Sequence, residues 1–442
     1  MRKIFFSFIV IAAGNFALPA AWGQAKEKME LVLEHEEKFS SPKNYQLAHV
    51  VFGKDNNGNP IPRILVTAHH VEFRDKNGSV IKKIPYTAQD EATKTETHLY
   101  TTRYGKNIAV HVTHGYSPVR ESWETGEYSI YDENGNETLR LRPFNDDTMP
   151  SPSPSGDYAV GYPNDAMMGP PNFYDAKGTR NEKWARRWYE RAKTGFKSGR
   201  PIEEWPDEGI AGPVRFSPDG KYAAVFCTVI GSEKITIVYD SNGDKLFQKK
   251  GYPIIFSSDG KTLFYSDETK TSAAGMDGHV IWTSTTAFLP EAFSRDGQFL
   301  IARKGPAIYE ARMTDGRINW KWEGKWHFLM EPDGHGNLVK TNNADFGISY
   351  VAIAPNSKIV AAIGIKSGFE YLDASKQSHR FIIKDSNLFI FDSHTGRLLA
   401  HQAISRLSIP VPAISIAEDG NLVSIQGQSE IFYLAIHSGK AK

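Results

Sequence analysis

The sequence predicts an all-β fold assembled from a repeated antiparallel meander, and three observations predict it. A turn phrase of the Ser-Pro-Asp-Gly type recurs along the chain, a second turn family of the Asp-x-x-Gly type interleaves with it, and short alternating β-rich runs fill the intervals. The composition agrees with a packed globular protein: of 442 residues, 40% are hydrophobic, 12% aromatic and 23% charged. Such a profile excludes a disordered tail, a coiled coil and a disulfide scaffold.

The first turn family is clearest where Val214-Arg215-Phe216 leads into Ser217-Pro218-Asp219-Gly220 and a β-rich run from Tyr222 to Val229. It returns as Ser257-Ser258-Asp259-Gly260 and Ser294-Arg295-Asp296-Gly297, with weaker copies at Ser153-Pro154-Ser155-Gly156, Ala354-Pro355-Asn356-Ser357 and Ala417-Glu418-Asp419-Gly420. Gly220, Gly260 and Gly297 stand 40 and 37 residues apart, the length of one four-stranded propeller blade. The second family comprises the turns ending at Gly78, Gly135, Gly178, Gly243, Gly278, Gly316 and Gly396, each opened by an Asp. Asp and Asn bond their own backbone and Gly takes the left-handed position, so each copy closes a hairpin. A single unit of this size cannot bury its own apolar face, and an open row would leave edge strands bare. The pattern therefore predicts a β-propeller of seven or eight four-stranded blades over residues 46–437, closed by pairing of N- and C-terminal strands. The unit Ala413–Ile436 supplies three strands, and residues 24–45, or Gln46 to Phe52, are the expected source of its fourth. Trp326 to Asn342 is a partial unit that fits neither register. Two stacked β-sandwiches are the competing architecture, but sandwiches do not demand a repeat near 40 residues.

The N-terminus has the three parts of a secretory signal: Arg2 and Lys3, an apolar run from Ile4 to Ala13, and the small-residue stretch Ala17 to Gly23. Cleavage near Gly23 would start the mature chain at Gln24, in the periplasm or outside the cell. The lone Cys227 supplies neither a lipid anchor near the cleavage region nor a disulfide partner. With 52 basic against 51 acidic side chains the formal charge is +1, so no global field favours nucleic acid. No later segment has the ~20 apolar residues of a membrane span. A monomer is expected, and residues 438–442 read as a tail.

The phrase Phe216-Ser217-Pro218-Asp219-Gly220-Lys221-Tyr222 resembles the repeat of bacterial WD-repeat-like and TolB-like propellers. Asp277-Gly278-His279-Val280-Ile281-Trp282 and Asp315-Gly316-Arg317-Ile318-Asn319-Trp320 look like the repeat of pyrroloquinoline-quinone (PQQ) propellers. Together these resemblances cover most of Ala48 to Ile436, and they imply the fold far more specifically than any activity. Catalytic members of the quinone family carry an adjacent cysteine pair, absent here. The sequence also has no Gly-x-Ser-x-Gly elbow, and the sialidase box that Ser257-Ser258-Asp259 begins is not completed.

Three constellations merit weighing. His70, Glu72 and His111 fall in a histidine-rich stretch and are candidate metal ligands, although surface or core-edge histidines are the commoner outcome. An insertion over 181–213 contains a helical pattern from Glu182 to Lys193, and eight basic residues against two acids between Arg180 and Arg200. There Trp184, Arg187, Trp188 and Arg191 are candidates for a cationic, aromatic lid over one mouth of the ring, to be set against a helix packed on a blade edge. A second insertion, over 366–385, offers Phe369, Tyr371 and Arg380 as ligand- or partner-binding candidates, because loops on a rigid scaffold carry specificity. Trp282, Trp320, Trp322 and Trp326 are better explained as packing between blades than as a quinone stack. The function expected is a non-catalytic module binding a protein or small ligand at one propeller face, without a cofactor. The alternative is a propeller enzyme, either a PQQ- or divalent-metal-dependent oxidoreductase or a lactonase-like hydrolase.

Overall fold

The computed structural model describes residues 29–38, 49–66, 70–85, 97–104, 107–117, 122–132, 134–141, 147–154, 157–163, 172–175, 214–228, 234–333, 335, 337–375, 378–404, 413–426 and 430–438. The expected signal sequence, the lid candidates Trp184, Arg187, Trp188 and Arg191, and residues 439–442 of the expected tail lie outside them; Ser438, assigned to that tail, instead ends a strand. Every regular element among the described residues is a strand, as the turn pattern predicted.

After β1 (Met29–Lys38), sheet one is formed by β2 (His49–Lys54), β3 (Pro60–Val66), β4 (His70–Arg74) and β5 (Val80–Pro85). Sheet two contains β6 (Thr97–Tyr104), β7 (Asn107–Ser117), β8 (Ser122–Tyr131) and β9 (Glu137–Leu141). Sheet three contains β10 (Asp147–Pro152), β11 (Tyr158–Pro163) and β12 (Asn172–Asp175). Sheet four follows with β13 (Arg215–Phe216), β14 (Tyr222–Thr228), β15 (Lys234–Asp240) and β16 (Lys245–Lys250). Sheet five is built from β17 (Tyr252–Phe256), β18 (Thr262–Ser266), β19 (Thr271–Gly275) and β20 (Val280–Thr283), and sheet six from β21 (Leu289–Phe293), β22 (Phe299–Lys304), β23 (Ala307–Arg312) and β24 (Ile318–Glu323). A separate hairpin, β25 (Phe328–Pro332) and β26 (Leu338–Ala344), precedes sheet seven, which holds β27 (Phe346–Ile353), β28 (Ile359–Tyr371), β29 (His379–Asp392) and β30 (Leu398–Ala403). Sheet eight takes β31 (Ala413–Ile416), β32 (Leu422–Gln426) and β33 (Glu430–Ser438) from one end of the chain and β1 from the other, with Met29 opposite Ser438 and Lys38 opposite Glu430. Each sheet is an antiparallel meander in sequence order, β1 excepted.

Both turn families do what their chemistry allows. In the first, the Ser217 hydroxyl donates to Asp219 (2.7 Å) and accepts from the Tyr222 amide (3.0 Å), and Ser257 and Ser294 repeat the arrangement with Asp259 and Asp296. In the second, Asp132 Oδ1 accepts from the amides of Asn134 (2.8 Å) and Asn136 (2.9 Å), as Asp240 does from Asn242 and Asp244. These bonds satisfy backbone donors that the ladder leaves unpaired.

Contacts between sheets run in chain order. Phe73 of sheet one meets Tyr131 of sheet two, β8 meets β10, and Tyr158, Val160 and Phe173 share a core with Val225, Ile237 and Tyr239. First-strand turns touch in succession: the Arg295 amide donates to Ser357 Oγ (2.6 Å) and the Asn356 side chain to the Asp419 carbonyl (2.6 Å). Farther out, the indole N–H of Trp282 donates to the Met313 carbonyl in sheet six (2.8 Å), and that of Trp320 to the Ser393 carbonyl in sheet seven (2.9 Å). Gly316 and Gly396, with φ of +69° and +67°, lie flat on those two indoles, where a Cβ would come within 2.7 and 2.5 Å. Trp322 packs on Phe389 and Phe391 across the same seam. Finally the Ser415 hydroxyl of sheet eight donates to the Val50 carbonyl of sheet one (2.8 Å), and Val50 and Leu65 share a core with Ile431 and Tyr433.

Candidate interaction surface

Antiparallel order places the turns joining first to second and third to fourth strands at one end of each sheet. The second-to-third turn and the link to the next sheet lie at the other. In sheet seven that second end is built out twice. Instead of a loop over 366–385, β28 and β29 run on beyond the sheet as a two-stranded ribbon, from Lys366 opposite Asp385 to Tyr371 opposite His379. The expectation of an irregular insertion is corrected here: the alternation of Phe369 and Tyr371 against His379, Phe381 and Ile383 continues the ladder, because strand propensity outweighs the polar turn residues between them. The partial unit Trp326–Asn342 is the second extension, the β25–β26 hairpin, which lies against β28.

Asp345 joins the two extensions. Its amide donates to the His327 carbonyl (2.8 Å), its carbonyl accepts from the Ser367 amide (2.8 Å), and its carboxylate accepts from the His327 amide (2.7 Å) and faces Lys366 Nζ at 3.5 Å. Register then decides which side chains share a face. Phe369 stands opposite Phe381 with ring centroids 5.5 Å apart, and His379 lies edge-on to Phe369 at 5.4 Å. Tyr371 is two residues from Phe369, on the same side of the pleat. Residues one step away form the charged side, where Arg380 makes two bonds to Glu370 (3.0 and 2.8 Å) and Lys384 lies across Gly368. The three candidates Phe369, Tyr371 and Arg380 are thus brought onto one ribbon, but on opposite faces of it.

Sequence reasoning marked the other extension only as a partial unit and named no candidate residue on it. Of 14 exposed large hydrophobic side chains among the described residues, six belong to these two extensions: Phe328, Met330, Leu338, Val339, Leu372 and Phe381. The remainder are spread over β1 and the outer strands β5, β16, β20 and β24. Lys340 sits over the Phe328 ring at 3.7 Å, and Trp326 packs edge-on to it at 5.3 Å. The signal available was the alternation Phe328, Met330, Pro332 and the turn Asp333-Gly334-His335-Gly336-Asn337, in which Asp333 accepts from the His335 and Asn337 amides as in the second turn family.

The metal candidates are placed differently. His70 and Glu72 on β4 are in contact at 2.8 Å, but the same carboxylate receives Arg74 at 2.9 Å and Lys83 at 3.2 Å. Burial pushes Glu72 up, and the bonds from Arg74, Lys83 and His70 more than reverse this, holding its carboxyl below the ordinary range. Among the described residues it is Arg74 and Lys83, and no further metal-binding side chain, that join His70 on this carboxylate. His111 is on β7, opposite Tyr100 and Tyr128, and its side chain lies outside the described residues. Among the described residues no group of three or more His, Cys, Asp or Glu is gathered, and no helix is long and apolar enough to cross a membrane. Of the tryptophans, Trp282, Trp320 and Trp322 are committed to seams between sheets.

No protein-family model matches the chain, and no curated protein matches it in sequence. Solved structures similar to it include the C-terminal WD40 domain of Sif2, at 12% identity and a TM-score of 0.49 over 92% of this chain and 99% of that one. BamB from Moraxella catarrhalis is similar at 9% identity and a TM-score of 0.43, over 92% of this chain and 100% of that one. A computationally designed protein, Ika8, is similar at 10% identity and a TM-score of 0.46, over 90% and 99%.

Proposed function

We propose that the chain is an exported, non-catalytic β-propeller of eight blades that binds another protein through the end of sheet seven. The observation that carries the binding reading is the gathering of exposed apolar side chains on two adjoining projections, when elsewhere they are scattered. Monomeric proteins rarely leave such groups together without a partner. The eight-blade, closed reading is supported by the chain-order contacts between sheets, by the Ser415–Val50 bond, and by direct packing of sheet six on β27, which leaves β25–β26 as an insertion. Export to the periplasm or beyond rests on the residue pattern of the first 23 positions. No cofactor is assigned.

The test is site-specific photo-crosslinking in the native host, with benzoyl-phenylalanine at Met330 or Phe381 and, as controls, at Leu246 or Ile318. A discrete adduct from the first pair and none from the second is expected. Equal labelling at all four, or none, would remove the interaction reading. N-terminal sequencing of the envelope fraction should begin at Gln24, and a chain retained in the cytoplasm would overturn the export reading.

A further inference from the structure

We infer that the occupant of this surface is an extended protein segment alternating apolar and acidic residues, added as a strand along the free edge of β26. The inference rests on the interaction reading and goes further in naming the mode and chemistry of binding.

The first ground is the edge itself. Among the described residues β26 is hydrogen-bonded to β25 alone, and a two-stranded unit is marginal in water without a further layer or strand. Edge strands are ordinarily guarded by charge. The outer strand β16 follows that rule with Lys245, Lys249 and Lys250, and β5 with Lys82 and Lys83. β26 has a single lysine, Lys340, beside its exposed Leu338 and Val339, fewer than β5 has beside its exposed Val80 and Ile81. An incoming strand would complete the ladder and cover these side chains, which is the recognition mode of strand addition.

The second ground is charge. Lys340 lies on β26 itself, Lys325 just ahead of β25 and Lys384 on β29; all three are exposed and none is in an ion pair among the described residues. Lys340 has the Phe328 ring but no carboxylate. The acids nearby are mostly engaged: Glu370 with Arg380, Asp345 with Lys366 and His327, Asp333 and Asp373 with backbone amides of their own turns. Glu331, paired with Val339, lies on the other side of the hairpin from Lys340. A strand that presents carboxylates on the side of Lys340 and aliphatic groups on the other side, beside Val339, matches both features.

The experiment uses the mature full-length protein and two blocked, fluorescein-labelled heptapeptides, one alternating valine and glutamate and the other valine and lysine. The glutamate peptide should raise fluorescence anisotropy saturably and increase amide-exchange protection over 338–344. Its affinity should fall about tenfold in the K340E/K384E variant, whose melting temperature should match the parent because both positions are exposed. Equal binding of the lysine peptide, binding without protection of 338–344, or no binding of either peptide would overturn the inference. Protection of 338–344 that grows with protein concentration alone would also overturn it, because the occupant would then be a second copy. Crosslinks at Met330 and Phe381 without edge protection would leave the interaction reading standing while removing strand addition.

Discussion

Replacing Trp282 with alanine tests the seam between sheets five and six. The indole is 7% exposed, packs on Phe264 and Phe288, lies beneath Gly316, and donates to the Met313 carbonyl. Truncating a buried tryptophan costs about 3–5 kcal/mol, the stranded carbonyl included at the upper end. How that loss is read depends on the unfolding unit. With an unfolding entropy of roughly 2 cal/mol/K per residue, a cooperative unit of about 400 residues loses only about 1 °C per kcal/mol, so Trp282→Ala should lower the midpoint by about 4–6 °C. If a sheet of about 40 residues unfolded alone, the same energy would melt it tens of degrees early and split the transition in two. Differential scanning calorimetry distinguishes these outcomes. Ile281→Ala, one residue away and 45% exposed, is the control and should move the midpoint by less than 1 °C. A Trp282→Ala midpoint within 1 °C of the parent would refute the claim that sheets dock through this ring.

Three further outcomes follow from the same reasoning. Gly396→Ala should destabilise by about 1–3 kcal/mol, because φ is +67° and the new Cβ would meet Trp320 at 2.5 Å; an unchanged denaturation midpoint would contradict that turn geometry. On acidification the midpoint should hold to about pH 5 and fall below about pH 4. Asp296 is held low by the Ser294 hydroxyl and Gln298 amide; in Asp219 and Asp259 burial pushes up, but bonds from Ser217, Lys221, Ser257 and Lys261 prevail. Folded-state pKa values below the unfolded ones give stability that is complete above the unfolded value and lost as pH falls through the folded one. Burial raises Glu291 and Glu310 against their donors and acts the opposite way, so a midpoint that rises toward pH 3 would show these two to dominate. Glu72→Gln should cost about 1–3 kcal/mol through the loss of its bonds to Arg74 and Lys83, whereas a chelator should leave the parent's midpoint in place; a chelator-induced drop restored by zinc would reinstate a metal at His70 and Glu72.

The meander was legible because its turns carry their own chemistry. Ser217 and Asp219, or Asp132 and Asn136, fix a backbone conformation with side chains only a few residues away, so the sequence displays the whole interaction. The projections were harder to see. Residues 366–385 read as a loop because Asp373, Ser375 and Ser378 are turn formers, while the pairing that extends the strands, such as Glu370 with Arg380, links residues ten apart. Trp326–Asn342 was noticed only as a misfit, since nothing local says that sheet six packs directly on β27. The ion network at Glu72 shows the opposite limit: His70 and Glu72 share a face as their spacing requires, but Arg74 and Lys83, which decide its chemistry, were not weighed with them.

The pairing of β1 with β33 separates two stages in the life of the chain. Nearly every other strand finds its partner within a few dozen residues, so the sheets can form one after another as the polypeptide emerges, each giving the next a surface to settle on. The bond from Ser415 to Val50, by contrast, spans 365 positions and must wait until almost all of the chain has appeared. Until β33 arrives, β1 has no place to lie and Val50 and Leu65 lack the cover of Ile431 and Tyr433. A product cut short before residue 430 would therefore keep most of its native ladders and still display an unfinished edge at each end, a mark by which proteolysis can tell incomplete molecules from finished ones.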